Sequence, residues 1–381
     1  MKLILRRAGC NASVICSITF LVLTSLLESM TARAQNAASL PEVQIPGTQS
    51  LKITSSIAGE DYALYVNLPR YYDDKTRVFP VLYLLDAQWD FPLVNAVFGE
   101  QYYDGFVPEI ITVGITWGGK NPNYDSLRAR DLTPTNVQQV PQSGNGAKFL
   151  SFIKKELIPF IDSTYRTKKN DRTLMGSSLG GLFTLYAMFH ETELFNRYVL
   201  TSPSLGWDNE IIYTYEKAYA DQKSQLPVRL FMAVGGYEGG IASFQKFVDH
   251  LKARNYQGLD LQTRVLEGIG HSGSKAEGYA RGLQAVFARS ALKIAPDTLQ
   301  LYVGVYQLNP EVRIRVSREN DQLVLYTPDS TRVLMYAETE KDFYIRGAYL
   351  FVRFEKNEMG KVTGLHAKQF SGELFLKKVN E

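Results

Sequence analysis

Between Leu51 and Ser290 the chain keeps switching between two apolar rhythms, and that alternation constrains its fold more than any other feature. Short, almost uncharged runs recur at ALYVNL (63–68), FPVLYLLD (79–86), IITVGIT (110–116), TLMGS (173–177), YVLTSPS (198–204), VRLFMAVG (228–235) and LQTRVLEG (261–268). Runs this short and this apolar read as strands covered on both faces. Between the later ones, Phe149, Ile153, Leu157 and Ile161 repeat at intervals of four. Phe244, Phe247, Val248 and Leu251 repeat at mixed intervals of three and four. Each set is the stripe of a helix lying on a core. Strands alternating with helices predict an α/β fold with a mostly parallel central sheet. The two runs within 61–85 leave no room for a helix between them and predict an antiparallel edge.

After Pro296 the helical rhythm stops. Eight short alternating runs follow, from LYVGVYQL to ELFLKKV, with turn signals at REND, TPDS and NEMGK. Regular short strands of this kind predict a small all-β unit, a barrel or a sandwich. The domain reading is therefore a large α/β domain over 51–294 and an accessory β domain over 295–381.

The first residues belong to neither. Lys2, Arg6 and Arg7 precede an apolar stretch from Ala12 to Leu27, and Ala32-Arg33-Ala34 follows as an A-x-A cleavage signal. That order predicts a secretory signal peptide at 1–34 and a linker at 35–50, hence a periplasmic or secreted protein without stable membrane association after cleavage. A retained membrane anchor is the rival reading, although the apolar run falls short of the ~20 residues a spanning helix needs. Residues 1–34 carry four basic side chains and Glu28, a charge of +3. The whole chain is also +3, so the remainder balances at zero and its charge gives no reason to expect a nucleic-acid partner. Both cysteines, Cys10 and Cys16, lie in the same segment. The mature chain is thus expected to hold no disulfide and no cysteine metal site, and no metal or cofactor motif is read in it.

The chemistry gathers at Met175 to Phe189, MGSSLGGLFTLYAMF. Gly176, Ser178 and Gly180 form G-x-S-x-G between a strand and a helix, the context in which that spacing marks a nucleophilic serine. Such a serine needs a base. Of the four histidines, His190 falls at the far end of the following helix, His250 on a helix as a surface residue, and His366 in the β unit. His271, in the loop LEGIGHSG after the last parallel strand, lies at the strands' carboxyl ends with Ser178. Glu238, just past VRLFMAVG, is the best-placed carboxylate to orient it; Asp249 and Asp260 fall mid-helix and at the opposite end. A Ser–His dyad is the alternative. An oxyanion hole needs two N–H donors: one from Leu179, and one from Ala87 or Gln88 after VLYLLD.

These residues and the blocks YALYVNLPRYY, FPVLYLLDAQWDF, YDSLRARDLTP, GSSLGGLFTLY, SPSLGWDN and GIGHSG, in that order, resemble the esterase family of α/β-hydrolases that includes esterase D, siderophore esterases and, more distantly, mycolyltransferases. The resemblance covers about Leu51 to Ser290. It implies an α/β-hydrolase fold, Ser178 as nucleophile, His271 as base, Glu238 as acid and Gln88 as the likelier-placed second oxyanion donor over Ala87. The family usually has Asp-Gly where this chain has Asp86-Ala87. An arginine of RARD (128–131) could meet an anionic substrate or, the blander reading, form an internal salt bridge. The C-terminal unit resembles small β domains appended to serine β-lactamase-like hydrolases and is expected to pack on the hydrolase or bind a ligand near it. The implied activity is a serine carboxylic-ester hydrolase working through an acyl-enzyme on a small-molecule or glycan ester, of siderophore type. Transfer of the acyl group to an alcohol, hydrolysis of acetyl or feruloyl polysaccharide esters, and a non-catalytic binding role are the alternatives.

Overall fold

The computed structural model describes residues 44–380, so the predicted signal peptide and most of the predicted linker lie outside the described residues. From Gly47 onward sheet, helices and barrel form one unit. Eight strands make the central sheet: β1 (Thr48–Ser55), β2 (Glu60–Asn67), β3 (Phe79–Leu84), β4 (Ile111–Trp117), β5 (Thr167–Ser177), β6 (Arg197–Thr201), β7 (Arg229–Gly235) and β8 (Asp260–Leu266). Their spatial order is β1-β2-β4-β3-β5-β6-β7-β8. From β4 to β8 neighbouring strands run parallel, while β1 pairs antiparallel with β2 and β2 with β4.

The antiparallel edge is therefore β1 with β2, not the pair of runs in 61–85. β3 lies inside the sheet between β4 and β5. Burial explains the exchange: five of its six residues are fully covered, as suits an interior strand, whereas β1 alternates and tolerates an edge. Its polar sequence TQSLKITS also hid β1's first residues within the predicted linker. The expectation that β8 is buried on both faces fails as well. Asp260, Gln262, Thr263 and Arg264 give it an exposed outer edge, and only Leu266 is fully covered.

Helices cover the sheet: α1 (Ala87–Tyr103), α2 (Tyr124–Asp131), α3 (Gly146–Phe152), α4 (Ile158–Thr164), α5 (Leu179–His190), α6 (Ile212–Ala220), α7 (Ile241–Arg254) and α8 (Ser274–Val286). A π-helical turn, Ile153–Leu157, joins α3 to α4 without a break. The cause is legible in the spacing. Apolar residues four apart drift round an α-helix of 3.6 residues per turn, and a wider turn returns them to one face. Phe149, Ile153, Leu157 and Ile161 are indeed all at most 1% exposed. α1 buries Ala87, Asp90, Phe91, Val94, Asn95 and Tyr102 along one face, two of them polar, and carries Pro92 in its interior.

A short helix, α9 (Pro296–Gln300), leads into the C-terminal strands, where no helix was expected. Strands β9 (Gly304–Asn309), β10 (Val312–Glu319), β11 (Gln322–Tyr326), β12 (Arg332–Ala337), β13 (Asp342–Tyr344), β14 (Leu350–Lys356), β15 (Val362–Gln369) and β16 (Gly372–Val379) close into a barrel. Each pairs antiparallel with its successor, and β16 returns to β9, so no edge is left open. Tyr302, Tyr306, Leu323, Phe343, Phe354 and Leu365 fill the core as side chains pointing inward on alternate positions.

Candidate active site

The site is assembled where the sheet's connections change direction. From β3 the chain passes to β4 on one side and then crosses back to β5 on the other, opening a crevice at the carboxyl ends of β3 and β5. Ser178 stands there, between β5 and α5, at φ 59° and ψ −116°. This is a strained conformation for a residue with a Cβ, costing about 1–3 kcal/mol, and it holds the side chain clear of the turn. Gly176 makes the turn possible. A Cβ there would come within 2.7 Å of the Gly180 carbonyl. The backbone is fixed by Ser178 N–H donating to Thr201 O and Ser204 N–H donating to Ser178 O. Ser177 is buried, and its Oγ has no hydrogen-bond partner.

Two strands away, β7 ends in the turn that carries Glu238, and the loop after β8 carries His271. Their side chains meet: His271 Nδ1 lies 2.6 Å from Glu238 Oε2. The other carboxylate oxygen accepts from Gly235 N–H and from Ser202 Oγ–H, each at 2.6 Å. Partial burial opposes ionisation of Glu238. The hydrogen bonds from Ser202, His271 and Gly235 outweigh it and hold the carboxyl below its ordinary value. An ionised carboxylate on Nδ1 leaves Nε2 of the half-exposed imidazole as the free nitrogen. Ser178 and His271 are not hydrogen-bonded to each other here; Ser178 Oγ instead faces Ser204 Oγ at 3.4 Å.

Leu179 and Gln88 occupy the first turns of α5 and α1, where N–H groups lack intrahelical acceptors. The two helix starts abut, since a Cβ on Gly180 would lie 3.4 Å from Asp86 Oδ2. The Gln88 side chain turns toward β4, its Oε1 accepting from Thr116 Oγ1 at 2.8 Å. Asp86 takes the left-handed conformation, φ 53° and ψ 37°, even with alanine rather than glycine after it. Arg128 braces it with two bonds, Nε to Oδ1 at 3.0 Å and a terminal nitrogen to Oδ2 at 2.8 Å. Arg130 pairs with Asp131 and Glu60. Both RARD arginines are thus in internal salt bridges.

Sequence reasoning missed four contributors. Asp90, one turn into α1, is buried and binds Lys275 Nζ at 2.7 Å and Tyr279 Oη at 2.8 Å, tying α1 to α8. Burial raises the Asp90 carboxyl above its ordinary value even against the pull of Lys275 and Tyr279. Trp89 is 46% exposed beside Gln88, with Arg128 and Lys275 over its ring and Tyr124 at its edge. Ser202 and Ser274 lie behind Glu238. Isolated serines and aspartates leave no periodic signal, and Ser202 sits in YVLTSPS, which reads as a strand. His190 and His366 fall where expected, on the end of α5 and in β15. His250 is not a free surface residue, because its Nε2 binds the fully buried Glu216 at 2.6 Å. Asp249 pairs with Gln245 on its own helix. Among the described residues, no cluster of three or more His, Cys, Asp or Glu side chains could hold a metal.

Sheet, turn and crevice define an α/β-hydrolase. Residues 55–232 match the family described as "Putative esterase", and residues 288–378 the domain of unknown function DUF3471. The chain is similar to the ferri-bacillibactin esterase BesA of Bacillus subtilis, 26% identical over 273 residues, 64% of this chain and 91% of that protein. It is 27% identical to a siderophore triacetylfusarinine C esterase of Aspergillus fumigatus over 58% of this chain and 78% of that one. Among solved structures, an IroE-like serine hydrolase of Shewanella oneidensis superposes with a TM-score of 0.58 at 26% identity, covering 67% and 84% of the two chains. The BES protein of Bacillus cereus gives 0.60 at 24% identity, covering 66% and 99%, and shares the fold. Residues 55–232 thus carry the match to this esterase family, and the chain is a serine esterase.

Proposed function

We propose that this protein is an exported esterase that cleaves carboxylic esters of siderophore type with Ser178, His271 and Glu238. The observation that carries the reading is the pair of facing elements: a serine on a strained turn at the sheet's switch point, and a Glu238–His271 pair joined at 2.6 Å on the neighbouring carboxyl ends. In the first step His271 Nε2 takes the Ser178 Oγ proton as Oγ attacks the ester carbonyl. The N–H groups of Leu179 and Gln88 meet the resulting oxyanion, and Glu238 stabilises the imidazolium. The imidazolium then gives its proton to the departing alkoxide, leaving an acyl-serine. Water, deprotonated by His271, releases the acid and restores the serine. The named activities of the two curated relatives support the siderophore class, and the N-terminal order of basic, apolar and A-x-A segments supports export.

The test is fluorophosphonate labelling together with a panel of p-nitrophenyl esters, catecholate and hydroxamate siderophores, and feruloylated and acetylated polysaccharides. Ser178→Ala should lose both label and hydrolysis. Label on Ser177, or hydrolysis that survives Ser178→Ala, would overturn the assignment. Turnover of polysaccharide esters but not siderophores would move the substrate class, and ester products formed with added alcohol would make the protein an acyltransferase.

A further inference from the structure

Glu238 and His271 are joined twice, and the second path runs through two buried serines. Ser202 Oγ donates to Glu238 Oε1 at 2.6 Å, lies 2.7 Å from Ser274 Oγ, and Ser274 Oγ reaches the backbone carbonyl of His271 at 2.7 Å. With the imidazole bound to Glu238 Oε2, the path closes on itself: it leaves His271 by its ring and returns to its main chain. Ser202 is 4% exposed and Ser274 is fully buried, so no water competes for these contacts. Ser202 also holds φ 46°, a left-handed conformation that serine adopts at a cost. A residue whose only task was to end β6 would not need that conformation and a hydroxyl together.

We propose that Ser202 and Ser274 are positioning residues: a hydroxyl relay that clamps the acid and the base of the esterase site in one register. The proposal rests on the Ser178–His271–Glu238 reading above. Proton count gives the relay a direction. Three contacts share two hydroxyl protons, so one contact lacks a hydrogen at any moment. With Ser202 donating to the ionised Glu238 Oε1, the single Ser274 proton serves Ser202 Oγ and the His271 carbonyl in turn, so the contacts run from the main chain of His271 to the carboxylate. The Glu238 carboxylate is then fixed at both oxygens and cannot rotate away from Nδ1. Loss of the Ser202 hydroxyl leaves Oε1 held by the Gly235 N–H alone, and loss of the Ser274 hydroxyl releases the His271 carbonyl.

The test uses the full chain with Ser202→Ala, Ser202→Gly, Ser274→Ala and the Ser202→Ala/Ser274→Ala double variant. Glycine is included because it accepts the positive φ at no cost and so removes the hydroxyl without threatening the fold. Expected is a fall in kcat of about 10-fold or more toward a p-nitrophenyl ester, with KM little changed, comparable to losing a partner that orients a functional histidine. The double variant should lose no more than the worse single one, since one broken link opens the whole path. The far-downfield proton resonance of His271 Nδ1–H should broaden or move upfield. The His250–Glu216 pair, also at 2.6 Å, gives an unaffected internal reference. Wild-type kcat and an unmoved resonance in Ser202→Gly would overturn the relay, as would losses that multiply in the double variant. Ser178→Ala, run in parallel, keeps the two questions apart: if it stays active, the site reading fails; if it is dead while the serine variants are not, only the relay fails.

Discussion

At the scale of single residues, the neighbours Ser177 and Ser178 show how position rather than chemistry separates two serines. Both are serines, but Ser177 ends β5 pointing inward, its hydroxyl buried without a partner, while Ser178 is thrown outward by its positive φ. Removing an unsatisfied buried hydroxyl costs nothing in hydrogen bonding. Ser177→Ala should therefore keep turnover and hold or raise the Tm, measured by ester hydrolysis and calorimetry side by side. Trp89 carries a second prediction. Its ring is 46% exposed next to Gln88 and presses against two cations that Asp86 and Asp90 already neutralise. What the face offers a ligand is thus aromatic surface rather than net charge. Trp89→Ala should raise KM for aryl esters several-fold while leaving KM for acetyl esters of aliphatic alcohols nearly unchanged. Equal effects on both would remove Trp89 from the binding face.

At the scale of elements, the helices are pinned by buried carboxylates more than by their stripes. Glu216 on α6 is fully buried and receives His250, Arg254 and Tyr256 from α7 and the turn beyond it. Burial alone would raise its carboxyl, but Arg254, Tyr256 and His250 together hold it below its ordinary value. A carboxyl with a lowered folded pKa stabilises the fold fully above its unfolded value of about 4.3, and that contribution is lost as pH falls through the folded one. Glu216→Gln should cost about 2 kcal/mol at neutral pH, the worth of charge-assisted bonds, and should flatten the fall of Tm below pH ~4.3. An unchanged acid slope would show that other carboxylates set it. These pins explain what could be read from the sequence. The strands β3 to β7, the stripe through α3 and α4, and the proposed Ser178, His271 and Glu238 announce themselves by period, spacing or chain order. α1 does not, because two residues of its buried face, Asp90 and Asn95, are polar and break the apolar rhythm. Nor do Asp90, Ser202 and Ser274, whose roles depend on which side chains three-dimensional packing brings to them.

At the scale of the whole molecule, the barrel meets the hydrolase sheet's helices far from the serine. α1 starts beside Ser178, and its 17 residues, at ~1.5 Å each, carry Tyr102 and Tyr103 about 25 Å away. There Tyr102 packs on Tyr349 and Phe370 of the barrel, Tyr103 on Phe370, and Arg70 lies over the same Phe370 ring. The approach is close enough that a Cβ on Gly105 would sit 2.6 Å from Ala348 O. The connecting segment adds Leu292 N–H to Ala337 O and Tyr344 Oη–H to Arg289 O, both at 2.8 Å. Of the two expectations for the β unit, packing on the hydrolase or binding a ligand near it, these contacts show the first, at the end of α1 opposite the serine. A chain ending at Ile294, the boundary proposed between hydrolase and barrel, should therefore keep its kcat/KM toward small and bulky esters alike. It should also show a lower Tm and a greater tendency to aggregate, because the aromatic face around Tyr102 and Tyr103 is laid bare. Turnover normalised to the soluble, monomeric fraction separates the two effects. A soluble truncated chain that hydrolyses p-nitrophenyl esters normally but loses the bulky substrate would mean that the barrel reaches the crevice after all. One inactive toward even the small ester would mean that anchoring the far end of α1 is what holds Gln88 in place.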